Sequence, residues 1–297
     1  MGGVARMGSP ALRVWRLAVY LAFTLVSMPI QAFGLASGRA WAASFPRFYH
    51  RQCCRILGLR VRRIGHPAQA RPVLFAANHI SYIDITVLGS LIAGSFIAKD
   101  EVARWPLFGW LARLQRSVFI DRRVRSTVQQ RDSIAGRLAA REALILFPEG
   151  TSGDGNRLLP FKSALFSVAD PRAAGDGAAG PVSVQPVSIA YTRLDGMPIG
   201  RSLRPLFAWY GSMAMAPHLW TMLGLGTVEI VVEFHPPTTL ADCGSRKALA
   251  RYCEEQVAGG LANALSGRHG PPPEAPGSSQ RRPSQAASAD TAAAALG

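Results

Sequence analysis

The residues in this sequence whose types and spacing best fit acid–base chemistry are His79 and Asp84, five apart in AANHISYIDITVLGS. On a straight helix, positions five apart lie on different faces. If His79 instead sits in a turn between a strand and a helix, its imidazole can fold back onto the Asp84 carboxylate. The carboxylate would keep one ring nitrogen protonated and leave the other free as a base near neutral pH. That is the orienting half of a nucleophile, base and acid relay, with the nucleophile brought by a substrate. A second reading involves no chemistry: Ser81 to Asp84 fits S-x-x-D, a capping box that would start a helix. An isolated H-x-x-x-x-D does not decide between them.

Three further stretches accompany the pair. In LFPEGTSGDGNRLLPFKSALF, residues 146 to 166, a strand runs into Pro148, Glu149, Gly150 and Thr151. Glycine at a strand end lets backbone amides turn into a site, and a helix starting near Pro160 would add N-terminal donors for an anion. An ordinary turn fits the same residues. SVFIDRR, residues 117 to 123, is a β-rich run ending in Asp121 and Arg122, and Pro186 interrupts a strand at 184 to 191, which usually marks an edge or a bulge. The four cysteines, Cys53, Cys54, Cys243 and Cys253, form no C-x-x-C, and His50 beside the adjacent pair completes no zinc pattern. Reduced thiols and no metal site are the expectation.

Elements that could hold these residues alternate between short β-branched or apolar runs and helical stretches, the signature of an α/β domain. Strands are predicted at Leu59 to Ile64, Val73 to Ala77, Ser95 to Ala98, Val118 to Ile120, Leu144 to Phe147, Val182 to Tyr191 and Thr227 to Phe234. Helices are predicted at 81 to 92, 102 to 114, 125 to 141, 161 to 168 and 245 to 265, with a loop from Pro171 to Pro181. The stretch SMAMAPHLWTMLGLG, 212 to 226, reads either as core packing or as a membrane contact.

Ahead of this domain, Leu17 to Gly38 holds no charge and is long enough to cross a hydrocarbon core. A secretory signal usually has a shorter apolar run, so a retained membrane segment is expected. Arg6, Arg13 and Arg16 precede the run and Arg39, Arg47, Arg51 and Arg55 follow it, so both ends favour the cytoplasmic side. With Pro29 and Gly34 inside, this suggests a helical hairpin whose returning half, 40 to 57, is interfacial; a single span is the alternative. The organisation expected is a membrane-associated segment 1–57, one α/β domain 58–266 with a mixed central sheet flanked by helices, and a disordered, Pro, Ser and Ala rich tail 267–297. The formal charge of +15, from 33 Lys plus Arg against 18 Asp plus Glu in 297 residues, suits nucleic acid or an anionic membrane. Arginines flanking an apolar run, and no zinc-finger, RNP or helix-turn-helix pattern, favour the membrane and exclude nucleic acid.

Taken in order, N-H-x-x-x-x-D, then K-D-E with P-L-F-G and F-I-D-R, then F-P-E-G-T, then the proline-bearing strand resembles the glycerolipid acyltransferase family, typified by 1-acylglycerol-3-phosphate acyltransferases, over residues 59 to 235. The resemblance implies an acyltransferase of lipid biosynthesis in which His79 and Asp84 are the catalytic pair. It places Lys99 and Arg122 near the acceptor head group, and Glu149, Gly150 and Thr151 around the acceptor site, with an apolar groove for the acyl chain. It implies an acyl-carrier-protein or CoA thioester as co-substrate, no cofactor, a lysolipid as acceptor, and a membrane enzyme whose site faces the cytoplasm, at the inner membrane if bacterial. One departure bears on the acceptor. The family's third block usually reads E-G-T-R, and position 152 here is Ser. An Arg to phosphate pair is strong and often bidentate. The acceptor expected from the resemblance is 1-acyl-sn-glycerol-3-phosphate, giving phosphatidic acid, with Arg157 or Lys162 in place of the missing arginine; the alternative is an acceptor without phosphate, since E-G-T-S with D-G-N-R and P-F-K-S resembles the branch that includes lyso-ornithine lipid acyltransferases. A hydrolase would need a nucleophile such as a G-x-S-x-G elbow, which is missing, and a noncatalytic lipid-binding protein would not need both His79 and Asp84.

Overall fold

The computed structural model describes residues 8–120, 134, 136–170 and 181–268. The expected helix 125–141 falls mostly outside these residues, as do Arg122, almost all of the loop predicted at Pro171 to Pro181, and the tail beyond 268.

Eight strands form one mixed sheet: β1 (Leu59–Ile64), β2 (Val73–Ala77), β3 (Ser95–Lys99), β4 (Val118–Ile120), β5 (Ala143–Leu146), β6 (Ser183–Leu194), β7 (Met197–Pro198) and β8 (Val228–Phe234). The spatial order is β1-β8-β6-β2-β5-β3-β4, with β7 added to β6. From β6 to β4 all neighbours are parallel, whereas β8 runs antiparallel to β6 and carries β1 parallel to itself. All five residues of β2 are buried, as a strand covered on both faces requires. Phe75 and Ala77 face a layer that contains α3 (Ile83–Leu91), while Leu74 and Ala76 face Leu249, Cys253 and Val257 of the C-terminal helix α7 (Arg246–Leu265). A four-residue spacing on α7 presents those three side chains as one stripe.

Pro186 lies inside the sheet, which corrects the edge reading. β6 is flanked by β2 and β8, and Pro186 sits beside Ala76 just where antiparallel pairing with β8 ends, at Val187 and Phe234. The predicted helix 102–114 also divides, into a 3-10 turn at Asp100–Arg104 and α4 (Phe108–Leu114). Pro106 lacks the amide needed to continue the ladder, and Leu107 takes a φ of 60°. The helix expected at 161–168 is a 3-10 turn, Ser163–Ala169.

N-terminal to the sheet, α1 (Pro10–Ala36) and α2 (Phe45–Leu57) form a helical hairpin joined by a short 3-10 turn, Ala40–Ala43. Ser9 starts α1 by accepting the amide of Leu12, with Pro10 at the first helical position. The polarity of α1 is inverted. Arg13, Arg16, Thr24, Ser27 and Gln31 are buried, while Val14, Trp15, Leu25, Val26 and Phe33 are 57% to 63% exposed. Three of these buried polar groups are bonded to other elements at points spread along the helix. Arg16 donates to the carbonyls of Leu223, Leu225 and Gly226 at the end of α5 (Met215–Leu223), Thr24 bonds the Tyr49 hydroxyl on α2, and Gln31 donates to the carbonyls of Ala42 and Leu114. α5, the Met-rich segment, is divided between both sequence readings: His218, Met222 and Leu223 are buried and Trp220 is 41% exposed. A four-residue helix, α6 (Leu240–Cys243), precedes α7.

Candidate active site

The motif blocks, scattered over the chain, leave the C-terminal ends of adjacent parallel strands. β2 ends two residues before His79, β5 ends three before Glu149, β3 ends at Lys99 and β4 ends just before Asp121. Binding sites of α/β sheets form at such an edge.

His79 lies in the turn between β2 and α3, so its ring folds back as the five-residue spacing requires. Nδ1 is 2.9 Å from Asp84 Oδ2, and the same oxygen accepts the amides of Ile80 at 2.6 Å and Ser81 at 2.9 Å. The reach-back half of the capping box is therefore present, but Ser81 Oγ makes no hydrogen bond among the described residues. One carboxylate oxygen both starts the helix and holds the imidazole. The other, Oδ1, accepts the Tyr191 hydroxyl from β6 at 2.8 Å. Asp84 is fully buried, and four donors offset the cost of placing its charge there. Nδ1 being occupied, Nε2 is the nitrogen left for a substrate. The ring stacks on Phe147, with centroids 4.1 Å apart and planes at 18°, and its side chain is 20% exposed.

Glu149 secures the other side of His79. Its Oε1 accepts the His79 amide at 2.6 Å and its Oε2 the Leu159 amide at 2.9 Å, and Gly153 donates to the His79 carbonyl. Burial pushes the Glu149 carboxyl up to about 7, against the pull of these two amides. Glu149 thus joins the 150–159 loop to the histidine, and does not line the site itself. Gly150 follows with a φ of 75°, a left-handed turn that glycine adopts without strain. The anion site imagined at Pro160 is not formed. The Leu159 amide goes to Glu149 and the Phe161 amide to Glu254 at 2.7 Å. Asn78 completes the frame: its side-chain amide donates to the Ile189 carbonyl at 3.0 Å and its side-chain oxygen accepts the Ile189 amide at 2.7 Å, tying the end of β2 to β6.

His79 opens into a cavity of about 400 Å³, the groove to which the sequence could assign no residues. Lys99, Gly150, Thr151, Ser152, Tyr82 and Trp209 line it with His79. Its apolar walls come from Leu17 and Met28 of α1, Phe45 and Tyr49 of α2, Phe96 of β3 and Leu111 of α4. Arg157 and Lys162 are exposed and do not line it. Ser152 donates its hydroxyl to the Trp209 carbonyl, and the Trp209 amide donates to Ile80 at 2.9 Å.

The fold has a solved counterpart. The 1-acyl-sn-glycerophosphate acyltransferase of Thermotoga maritima superposes with a TM-score of 0.63 at 22% identity, covering 88% of this chain and 97% of that one. A family profile described as Acyltransferase matches residues 59–190. Among curated proteins, the lyso-ornithine lipid O-acyltransferase of Brucella abortus (strain 2308) is 44% identical over 256 residues, 86% of this chain and 96% of that protein. The chain belongs to the acyltransferase family. The 1-acyl-sn-glycerol-3-phosphate acyltransferase of Neisseria gonorrhoeae is more distant, 32% identical over 197 residues, 65% of this chain and 72% of that protein. The resemblance drawn from the four ordered blocks is borne out, and the protein is an acyltransferase, an enzyme.

Of the residues that frame this acyltransferase's site, Asn78 and Phe147 stood in the quoted blocks without a role of their own, and Tyr191 was not singled out. Asn78 precedes His79 directly, and an amide at the end of a fully apolar strand was the available signal. Tyr191 is 107 residues from the carboxylate it meets and had none.

Proposed function

We propose that the protein is a lysolipid O-acyltransferase, that His79 is its general base oriented by Asp84, and that its acceptor is a lyso-ornithine lipid. The observation that carries the acceptor assignment is position 152. Where a guanidinium would meet a phosphate, a serine hydroxyl is spent on the Trp209 carbonyl. Among the described residues no arginine lines the cavity, although arginine supplies most of the basic charge of the chain. The 44% identity to a lyso-ornithine lipid O-acyltransferase across nearly its full length supports the same acceptor.

In this mechanism Nδ1–H stays on Asp84, and Nε2 takes the proton of the acceptor hydroxyl as its oxygen attacks the thioester carbonyl. The new C–O bond forms, the C–S bond breaks, and the imidazolium returns the proton to the leaving thiolate. The donor is an acyl thioester of carrier protein or CoA, its chain held by the apolar cavity. The thioester is already activated, so the reaction draws on no cofactor.

The inverted helix supports a membrane location of a particular kind. α1 is the one helix among the described residues long and apolar enough to cross a bilayer. Its polar stripe, however, is bonded to α2, α4 and α5 from Arg16 to Gln31, so it cannot stand in the bilayer apart from the domain. Intramembrane polar residues face protein and apolar ones face lipid. This supports a hairpin lying in one leaflet with its outer face in lipid, and the exposed Arg39, Arg51 and Arg55 favour a domain on the cytoplasmic side.

An acceptor panel with purified enzyme in detergent tests the assignment. Lyso-ornithine lipid is expected to be acylated and lysophosphatidate to be a poor acceptor. Efficient and exclusive use of lysophosphatidate would refute it.

A further inference from the structure

Three aromatic side chains from three separate elements converge in the wall of the cavity that contains His79. Tyr82 immediately precedes α3, Trp105 follows the turn after β3, and Trp209 lies between β7 and α5. The Trp209 ring is 5.9 Å from Tyr82 with planes at 70°, and 5.8 Å from Trp105 with planes at 86°. All three line the cavity that contains His79 and all are half-buried, unlike the core aromatics Phe75 and Phe166. Trp209 packs edge-to-face with both neighbours, and the negative π faces that these contacts leave toward the cavity suit a cation.

These rings are fixed from outside. The Tyr82 hydroxyl is 2.9 Å from His218 Nδ1, and the other His218 nitrogen is 3.1 Å from the Leu206 carbonyl, so both ends of that imidazole are engaged. Trp209 is held through its backbone alone, by the Ile80 carbonyl and by Ser152. The side chain that stands where a phosphate-binding arginine was expected is thus one of the two anchors of the central ring.

We infer that Tyr82, Trp105 and Trp209 form a cation subsite that receives the ammonium of the acceptor head group. The inference rests on the acceptor proposed above, since ornithine carries a side-chain amine that is charged near neutral pH. Ser152 then has a double consequence: it withholds the phosphate contact and sets the ring that takes an ammonium instead. Lys99, lining the same cavity, supplies the countercharge for the head-group carboxylate.

The test compares kcat/KM for lyso-ornithine lipid and for the same lipid with its side-chain amine acetylated, which keeps the hydroxyl and removes the charge. Wild-type enzyme is expected to favour the charged acceptor, by roughly 2- to 30-fold for each ring face that contacts the ammonium. In Trp209→Leu and in Trp105→Leu this ratio is expected to fall toward one, with the KM for the acyl thioester unchanged, and Trp209→Phe should restore part of it. Equal use of both acceptors by wild-type enzyme overturns the cation subsite and leaves the acceptor assignment standing. So does a ratio unmoved by both leucine variants, or a raised thioester KM, which would make the aromatic wall part of the acyl pocket. Failure of wild-type enzyme to acylate either form overturns the acceptor assignment and the subsite together.

Discussion

Replacing Asp84 by Asn separates charge from geometry at the site. Three donors converge on Oδ2, from His79, Ile80 and Ser81, while Oδ1 takes only the Tyr191 hydroxyl. An asparagine can put its carbonyl at the Oδ2 position and its NH2 toward Tyr191, whose hydroxyl rotates to accept. The imidazole therefore keeps its orientation and tautomer, and what is lost is the anion facing the imidazolium that forms on proton transfer. Two unit charges about 4 Å apart interact by about 4 kcal/mol at an effective dielectric of about 20, which is about a thousandfold in rate. Asp84→Asn is expected to fold, to keep its acceptor KM and to lose about a thousandfold in kcat. Asp84→Ala should behave differently, because two buried amides are left unpaired at about 1–3 kcal/mol each, so stability falls as well. The assay is transfer of labelled acyl thioester to lysolipid in detergent, read as kcat and KM beside thermal unfolding. A folded Asp84→Asn enzyme within tenfold of wild-type kcat would refute the reasoning, and so would equal destabilisation of the two variants.

Tyr191→Phe removes one charge-assisted bond from the same carboxylate, worth about 1.5–3 kcal/mol; a fall in kcat of about 10- to 100-fold with little change in either KM is expected, and unchanged kinetics would deny Tyr191 a positioning role. Glu149 binds its proton more tightly folded than unfolded, about 7 against 4.5, so the stability it contributes is full below 4.5 and is lost as pH rises through about 7. That difference amounts to roughly 3 kcal/mol, and Glu149→Gln, followed by thermal unfolding from pH 4.5 to 8, should flatten this part of the profile. The same variant turns an amide NH2 toward the His79 or Leu159 amide, so its kcat should drop even at pH 8, where ionisation is not at issue. On the outer face of α1, Val26→Asp with Phe33→Asp removes roughly 3 kcal/mol or more of apolar transfer; vesicle sedimentation should show more than a hundredfold weaker binding with detergent activity retained, and undiminished binding would place that face away from lipid.

Much of this architecture could be read from the chain because its signals are local. β2 is five apolar residues between turn formers, and His79 with Asp84 is a short-range pair. What failed to show depends on partners distant in sequence. Nothing near Pro160 announces that Glu149 and Glu254 take the Leu159 and Phe161 amides, so free helix donors were expected there. Pro186 reads as an edge because proline cannot donate, and only the sheet reveals a central position where the β8 ladder ends at Val187 and the proline needs only to accept, from the His235 amide. Arg13, Arg16, Thr24 and Gln31 were all visible, but the arginines read as flanks of a span. Their true meaning, a stripe turned inward, requires knowing what α1 packs against.

That inward stripe has a consequence for the surroundings of the enzyme. In the proposed membrane arrangement one face of α1 meets lipid while its other face supplies Leu17 and Met28 to the wall of the cavity at His79. Anchor and container are a single helix, so deleting it to obtain a soluble enzyme would remove part of the vessel in which the chain is held. In that arrangement the lateral pressure of the bilayer would bear on the cavity wall, and lipid packing density would become a mechanical input to which acyl chains fit.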